Sequence, residues 1–172
     1  MYQLVNIAER KSNYKVKKKK YVFKILFIIY ILLVIRITTF PITIISREAS
    51  NEVHAQFGKY IQYYQLIPFK TICGVGSYNF FKQIICNILM FIPFSILVKG
   101  IKSNLKGWQV ILMGVICSLF IELLQLCINI LTRFPNRVCD IDDLILNSIG
   151  VILGYGIYIL VSKVSTKRVE GI

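Results

Sequence analysis

At 172 residues, with 56% hydrophobic residues and a mean hydropathy of +0.65, the chain has the length of one domain and a composition far from that of a soluble protein. Ten glycines and four prolines are too few for a fibrous or disordered chain. The net charge of +13 does not make it a nucleic-acid binder, because its lysines and arginines are interrupted by long apolar runs rather than spread over one soluble face; the expected partner is membrane lipid.

In chain order, a basic segment at residues 1–20 leads into a transmembrane domain at 21–162 and a short tail at 163–172. Four apolar runs, at residues 22–44, 83–98, 108–131 and 144–161, approach the roughly 20 residues that a helix needs to cross about 30 Å of hydrocarbon. The second and fourth are short, which tilt or local thinning accommodates. A cleaved signal peptide is the competing reading of the first run. No small-x-small site follows it promptly, and Arg36, Thr38, Thr39 and Pro41 stand where cleavage would fall, so the run reads as a retained anchor.

Four spans put both termini on one side. On that side lie Arg10, Lys11, Lys15, Lys17 to Lys20 and Lys24, the loop lysines Lys99, Lys102 and Lys106, and Lys163, Lys167 and Arg168 of the tail. The two opposite loops are longer together and hold only Arg47, Lys59, Lys70, Lys82, Arg133 and Arg137. The positive-inside rule therefore makes both termini cytoplasmic. The expected fold is an all-α integral membrane protein, a bundle of about four transmembrane helices in the cell membrane.

Between the first two spans, residues 46–82 form the longest outer loop. Tyr60, Tyr63, Tyr64, Pro68 and Phe69 suit the headgroup region, so residues 58–72 read either as a surface or re-entrant element or as an ordinary loop. His54 is expected to be solvated. In the second span Asn87 is polar and Pro93 removes a helical hydrogen bond, which predicts a kink. The third span carries Glu122, a lone acid at a depth where hydrocarbon makes it costly, so it is expected to face other helices or trapped water.

Ser118, Glu122, Gln125 and Asn129 fall at i, i+4, i+7 and i+11, one stripe of the third span. Asp140, Asp143 and Asn147 repeat the pattern on the fourth, where Asp140-Ile141-Asp142-Asp143 stands at the entrance. With Arg36 and Asn87, these residues converge on the outer half of the bundle. The structural reading is that amides and hydroxyls bond across helices and that the aspartates cap the fourth helix. The functional reading is strongest for Glu122. Arg137 either pairs with Asp140 or Asp143 or offers a guanidinium to a phosphate or carboxylate. Gly150 and Gly154 form a small-xxx-small face, with Gly156 nearby and Ser118 and Ser148 as further contact residues.

Several chemistries lack their residues. Serine proteolysis and histidine-dependent phosphatase chemistry need a histidine beside a nucleophile, and His54 has no such neighbour in sequence. Paired histidines or closely spaced cysteines for zinc are missing. Cys86, Cys117 and Cys127 lie in spans as small apolar residues, while Cys73 and Cys139 share the outer side and are the candidates for a bridge. What remains is carboxylate chemistry: a hard divalent cation among Asp140, Asp142, Asp143 and Glu122, or a proton carried by Glu122. Spacing specifies neither, and no metal or cofactor is assigned.

Taken together, Leu66 to Ile72, Asn87-Ile88-Leu89-Met90-Phe91-Ile92-Pro93-Phe94, Ser118 to Gln125, Arg137 followed by Asp140-Ile141-Asp142-Asp143, and Asn147 through Gly150 and Gly154 resemble the VanZ-like family of bacterial membrane proteins. The order and spacing over residues 61–158 carry the resemblance; each piece alone is weak. The resemblance implies a role in the cell envelope, since the family's name-giving member is associated with low-level resistance to teicoplanin, a lipid-tailed glycopeptide. By position it points to Asn87, Pro93, Glu122, Gln125, Arg137, Asp140, Asp143 and Asn147. Ser95 departs from the family, which usually has glycine there.

Three functions are compatible with these residues. The first is binding or shielding of an envelope lipid or lipid-linked peptidoglycan precursor, with Asn87, Gln125, Arg137, Asp140 and Asn147 as ligand-binding residues and Arg36 assisting. The second is an enzyme acting on such a lipid, with Glu122 and Asp143 as catalytic residues: Glu122 as general base or acid, and Asp143 with Asp140 orienting Arg137 or holding a cation. The third is a structural or accessory membrane subunit.

Overall fold

A computed structural model describes residues 2–58, 62–74 and 77–170. Among the described residues there are six helices: α1 (Tyr2–Thr39), α2 (Arg47–Phe57), α3 (Lys70–Gly74), α4 (Ser77–Ile101), α5 (Gly107–Thr132) and α6 (Ile141–Glu170). Two two-residue strands, β1 (Tyr64–Gln65) and β2 (Cys139–Asp140), accompany them. Four helices contain apolar stretches long enough to cross a membrane: Val16–Thr39, Phe81–Ile101, Gly107–Thr132 and Ile141–Val164. The all-helical four-span bundle read from the sequence is therefore the observed fold.

The boundaries shift for local reasons. The basic segment and the first span form one helix, α1, which stops at Thr39 and not at 44. Pro41 follows, and a proline disfavours helical backbone at the residue before it. The chain turns through residues 40–45, and Ser46 then caps α2 by accepting a hydrogen bond from the Ala49 N–H at 3.2 Å. Spans two and four are longer than their apolar runs because polar residues at their ends remain helical. At the turn into α5, the Lys106 N–H donates to Gln109 Oε1, and Arg133 ends the helix in the left-handed conformation with φ 52°.

Packing is tightest between α4 and α6. A Cβ at Gly150 or Gly154 would fall far inside van der Waals contact with the carbonyls of Ile88 and Ile92, so only glycine permits this approach, whereas Gly156 faces open space. Ser95, the departure from the usual glycine, is fully buried and donates its hydroxyl to the Val151 carbonyl at 2.6 Å. That bond joins the same two helices. Gly114 gives α5 equivalent access to Val151. Around these contacts Val34, Phe91, Phe94, Val98, Val110, Ile121 and Val151 form the core.

Pro93 lies inside the continuous α4, and one turn earlier the Met90 carbonyl accepts the Tyr30 hydroxyl of α1 at 2.9 Å. A phenol thus serves the turn that proline loosens. At the end of α4, the buried Lys99 donates to the carbonyls of Ser103 and Leu105 and lies 5.4 Å from the Tyr158 ring, tying down the loop into α5. The outward faces of the spans expose Ile28, Leu32, Ile116, Phe120 and Leu160, as expected of helices solvated by lipid chains.

The loop between α1 and α4 is more structured than a surface helix. Residues 59–61, including Tyr60, lie outside the described residues. Beyond them, β1 pairs in parallel with β2, Tyr64 opposite Cys139 and Gln65 opposite Asp140. Short α3 follows. This pairing draws the loop onto the start of α6.

Candidate ligand-binding cleft

The site is assembled where α4, α5 and α6 meet beneath that loop. On α5 the buried residues Val110, Gly114, Ser118, Ile121, Glu122, Gln125 and Asn129 make one stripe at helical spacing. Glu122 is 4% exposed, and its Oε2 accepts the Asp140 N–H at 2.8 Å. Asp140 in turn caps α6, its Oδ1 accepting the Asp142 N–H at 2.9 Å. The acid on α5 therefore holds the first residue before α6 in place.

Asp143, one residue past Asp142, faces α4. Its Oδ1 accepts Gln83 Nε2 at 2.8 Å and Asn87 Nδ2 at 2.5 Å. Among the described residues, Asp143 Oδ2 and Glu122 Oε1 take no hydrogen bond. Asn147, a turn further along, donates Nδ2 to Ser118 Oγ at 2.9 Å, while its buried Oδ1 has no partner among the described residues. Gln125 donates Nε2 to the Thr38 carbonyl at 2.9 Å, and its buried Oε1 is likewise without a partner among them.

Glu122, Gln125, Asp140, Asp143 and Asn147 border a cleft of about 870 Å³. That volume is in the range of small-molecule sites. Glu122, Asp143, Asn87, Gln125, Arg137, Asp140 and Asn147, singled out from the sequence, all line it. Ile37, Leu89, Met90, Ile121 and Val138 supply apolar wall. The sequence reading missed Lys82, Gln83, Thr38 and Thr71, which also line the cleft. Gln83 and Asn87 stand at i and i+4 on one face of α4, a spacing that could have identified Gln83 beside Asn87.

Other residues have different placements. Arg36 stacks on the Phe40 ring at 5.4 Å and is not among the lining residues, so the phosphate-contacting role weighed for it is not supported by its position. Arg137 is exposed and its guanidinium donates to the Ile37 carbonyl at 3.5 Å; it forms no pair with Asp140 or Asp143. Asn129 organises the turn after α5 by donating to the Arg137 carbonyl and accepting the Asn136 and Arg137 N–H groups at 2.9 and 3.3 Å. His54 is exposed, as expected for a solvated side chain, yet both ring nitrogens are engaged: Nδ1 at 2.8 Å from the Ser50 carbonyl and Nε2 at 2.9 Å from the Tyr63 hydroxyl. Ser148 bonds within its own helix, to the Leu144 carbonyl.

Asp142 is fully buried and serves the scaffold. Its carboxyl accepts the backbone N–H groups of Phe69 at 2.6 Å, Thr71 at 3.0 Å and Ile72 at 3.1 Å. With Asp142 and Asp140 so engaged, the aspartates do not converge as a cation site, and among the described residues no group of three or more His, Cys, Asp or Glu side chains is arranged to hold a metal. Cys73 and Cys139 are both free, the first exposed and the second buried. Burial, reinforced by the neighbouring acids, pushes the Cys139 thiol up to about 11, which leaves it protonated and unreactive at neutral pH.

The arrangement suits recognition. Buried acids and amides face a cleft that also has exposed cations, Lys82 and Arg137, and apolar walls. Such a surface meets a polar group with both charge and hydrogen bonds while leaving an attached chain in an apolar setting. Compared with known families, residues 27–162 match VanZ/LLP1. No curated protein and no solved structure gives a significant match.

Proposed function

Because the chain belongs to the VanZ/LLP1 family, we propose that it is a multi-pass protein of the bacterial cell membrane that holds the headgroup of an envelope lipid or lipid-linked peptidoglycan precursor. In doing so it limits the access of lipophilic glycopeptides such as teicoplanin. The observation that carries this reading is the cleft of about 870 Å³, in which Glu122, Asp143, Asn87 and Gln125 meet the exposed Lys82 and Arg137. The basic residues at both termini support an orientation with the ends in the cytoplasm and the cleft toward the outside. A single cysteine introduced at Arg47 is then labelled by an impermeant maleimide from outside; labelling only from the cytoplasm would invert the cleft and remove its access to outer-leaflet ligands.

The functional test is the inhibitory concentration of teicoplanin, with tail-free vancomycin as control, in a susceptible Gram-positive host at matched membrane levels of protein. Wild type raises the teicoplanin value, while Glu122→Gln and Asp143→Asn reduce or abolish the rise. Equality of all three with the empty vector rejects the resistance role.

A second reading rests on Glu122 Oε1 and Asp143 Oδ2, which take no hydrogen bond among the described residues: an enzyme that modifies the lipid, with Glu122 as general acid or base. Glu122→Gln separates the two. It abolishes turnover of a lipid substrate but only weakens binding.

A further inference from the structure

The cleft divides its polar groups by type. Lys82 and Arg137 are its exposed cations, and both are pure donors. The buried part is weighted toward acceptors. Gln125 and Asn147 are 7% and 1% exposed, and each donates one amide N–H to the protein, while Gln125 Oε1 and Asn147 Oδ1 are buried without partners among the described residues. Glu122 Oε1 and Asp143 Oδ2 add two oxygens that take no hydrogen bond among the described residues. Gln83 and Asn87, the other amides, are already turned toward Asp143 as donors. A buried acceptor left unpaired costs free energy. Both carbonyls are closed off from solvent but belong to residues that line the cleft, so a ligand that brings donors can satisfy them after a small side-chain rotation.

Resting on the headgroup-binding reading above, we propose that this cleft selects amphiphiles whose phosphate is followed by a hydrogen-bond donor, an amine or a hydroxyl. The phosphate is met by Lys82 and Arg137, the more so because a guanidinium can grip phosphate oxygens in a bidentate manner. The donor continues inward to Gln125, Asn147 and the free carboxyl oxygens. The acyl chains leave along Leu89 and Ile37, which line the cleft and are exposed on the bundle surface.

The test measures lipid retention by the full-length protein, using native mass spectrometry and competition in nanodiscs. The three probes are phosphatidylethanolamine, with an amine donor, phosphatidylglycerol, with hydroxyl donors, and phosphatidylcholine, whose quaternary nitrogen has none. At least one donor-bearing lipid binds roughly tenfold more tightly than phosphatidylcholine, the factor for about one buried hydrogen bond. The amine and hydroxyl arms identify which donor is used. Lys82→Ala and Arg137→Ala, at exposed positions, weaken all three lipids alike, whereas Gln125→Met narrows the gap to phosphatidylcholine. Equal binding of the three lipids to wild type overturns the donor inference and leaves headgroup binding standing. No binding that depends on Lys82 or Arg137 overturns both. Because the wild-type comparison needs no variant, a folding defect in Gln125→Met does not obscure the result.

Discussion

Replacing Asp142 tests whether adjacent acids of one motif have separate duties. Asp142→Ala removes the acceptor for the Phe69, Thr71 and Ile72 N–H groups in one step. A hydrogen bond contributes about 1 kcal/mol net, so three lost bonds bring the cost to about 3 kcal/mol. Phe69 is exposed and Thr71 and Ile72 only half-buried, so water replaces part of the loss and the expected destabilisation is about 2–3 kcal/mol. Phe69 also has φ 64°, a left-handed conformation that a bulky side chain adopts at a cost, and the Asp142 clamp helps to hold it there. Asp142→Asn keeps one acceptor oxygen and should lose about half as much. The assay is unfolding in mixed micelles with increasing dodecyl sulfate, together with hydrogen exchange over residues 66–74. The expected order is wild type, Asn, then Ala in falling stability, with protection lost at residues 69–72. Wild-type stability and unchanged exchange in Asp142→Ala would refute the clamp.

The α4–α6 contact and the buried Cys139 each give a measurable outcome. Gly150→Leu or Gly154→Leu drives a side chain into the carbonyl of Ile88 or Ile92 and should cost about 3 kcal/mol or more, whereas Gly156→Ala, with nothing near its Cβ, should be silent; equal stabilities in the same micelle titration would contradict the α4–α6 packing. In single-cysteine variants at pH 8, a thiol with a pKa of about 11 is about 0.1% thiolate, so Cys139 should react with maleimide far more slowly than exposed Cys73 and speed up as the pH is raised toward 10. Equal rates at pH 8 would show that Cys139 is not buried.

The four spans were legible because hydrocarbon imposes one requirement, about 20 apolar residues with satisfied backbone, and the sequence displays it four times. Helix ends were less legible. Hydropathy alone extended the first span to 44, although Pro41 already contained the reason for a stop near Thr39. The stripes on α5 and α6 were legible for the same reason as the spans, since 3.6 residues per turn fixes which side chains share a face. The loop above them was not. The pairing of Tyr64 with Cys139 is a long-range contact with no periodic signal, and only the folded chain brings those residues together.

The acidic motif shows why residue identity was easier to read than role. In the sequence, Asp140, Asp142 and Asp143 form a single cluster and invite a single cation. Successive positions on a helix turn by about 100°, so acids at its start diverge. Asp140 turns back to cap α6, Asp142 reaches the backbone at α3, and Asp143 reaches Gln83 and Asn87 on α4. The cluster is thereby spent on fastening different elements to the first turn of α6. Of the three, only Asp140 and Asp143 also line the cleft, and Asp140 is fixed there by Glu122. Substitution at Asp142 should therefore register in stability and loop exchange, and substitution at Asp143 in ligand retention. A motif that binds one ion would give one phenotype; a motif that divides scaffold from cleft gives two.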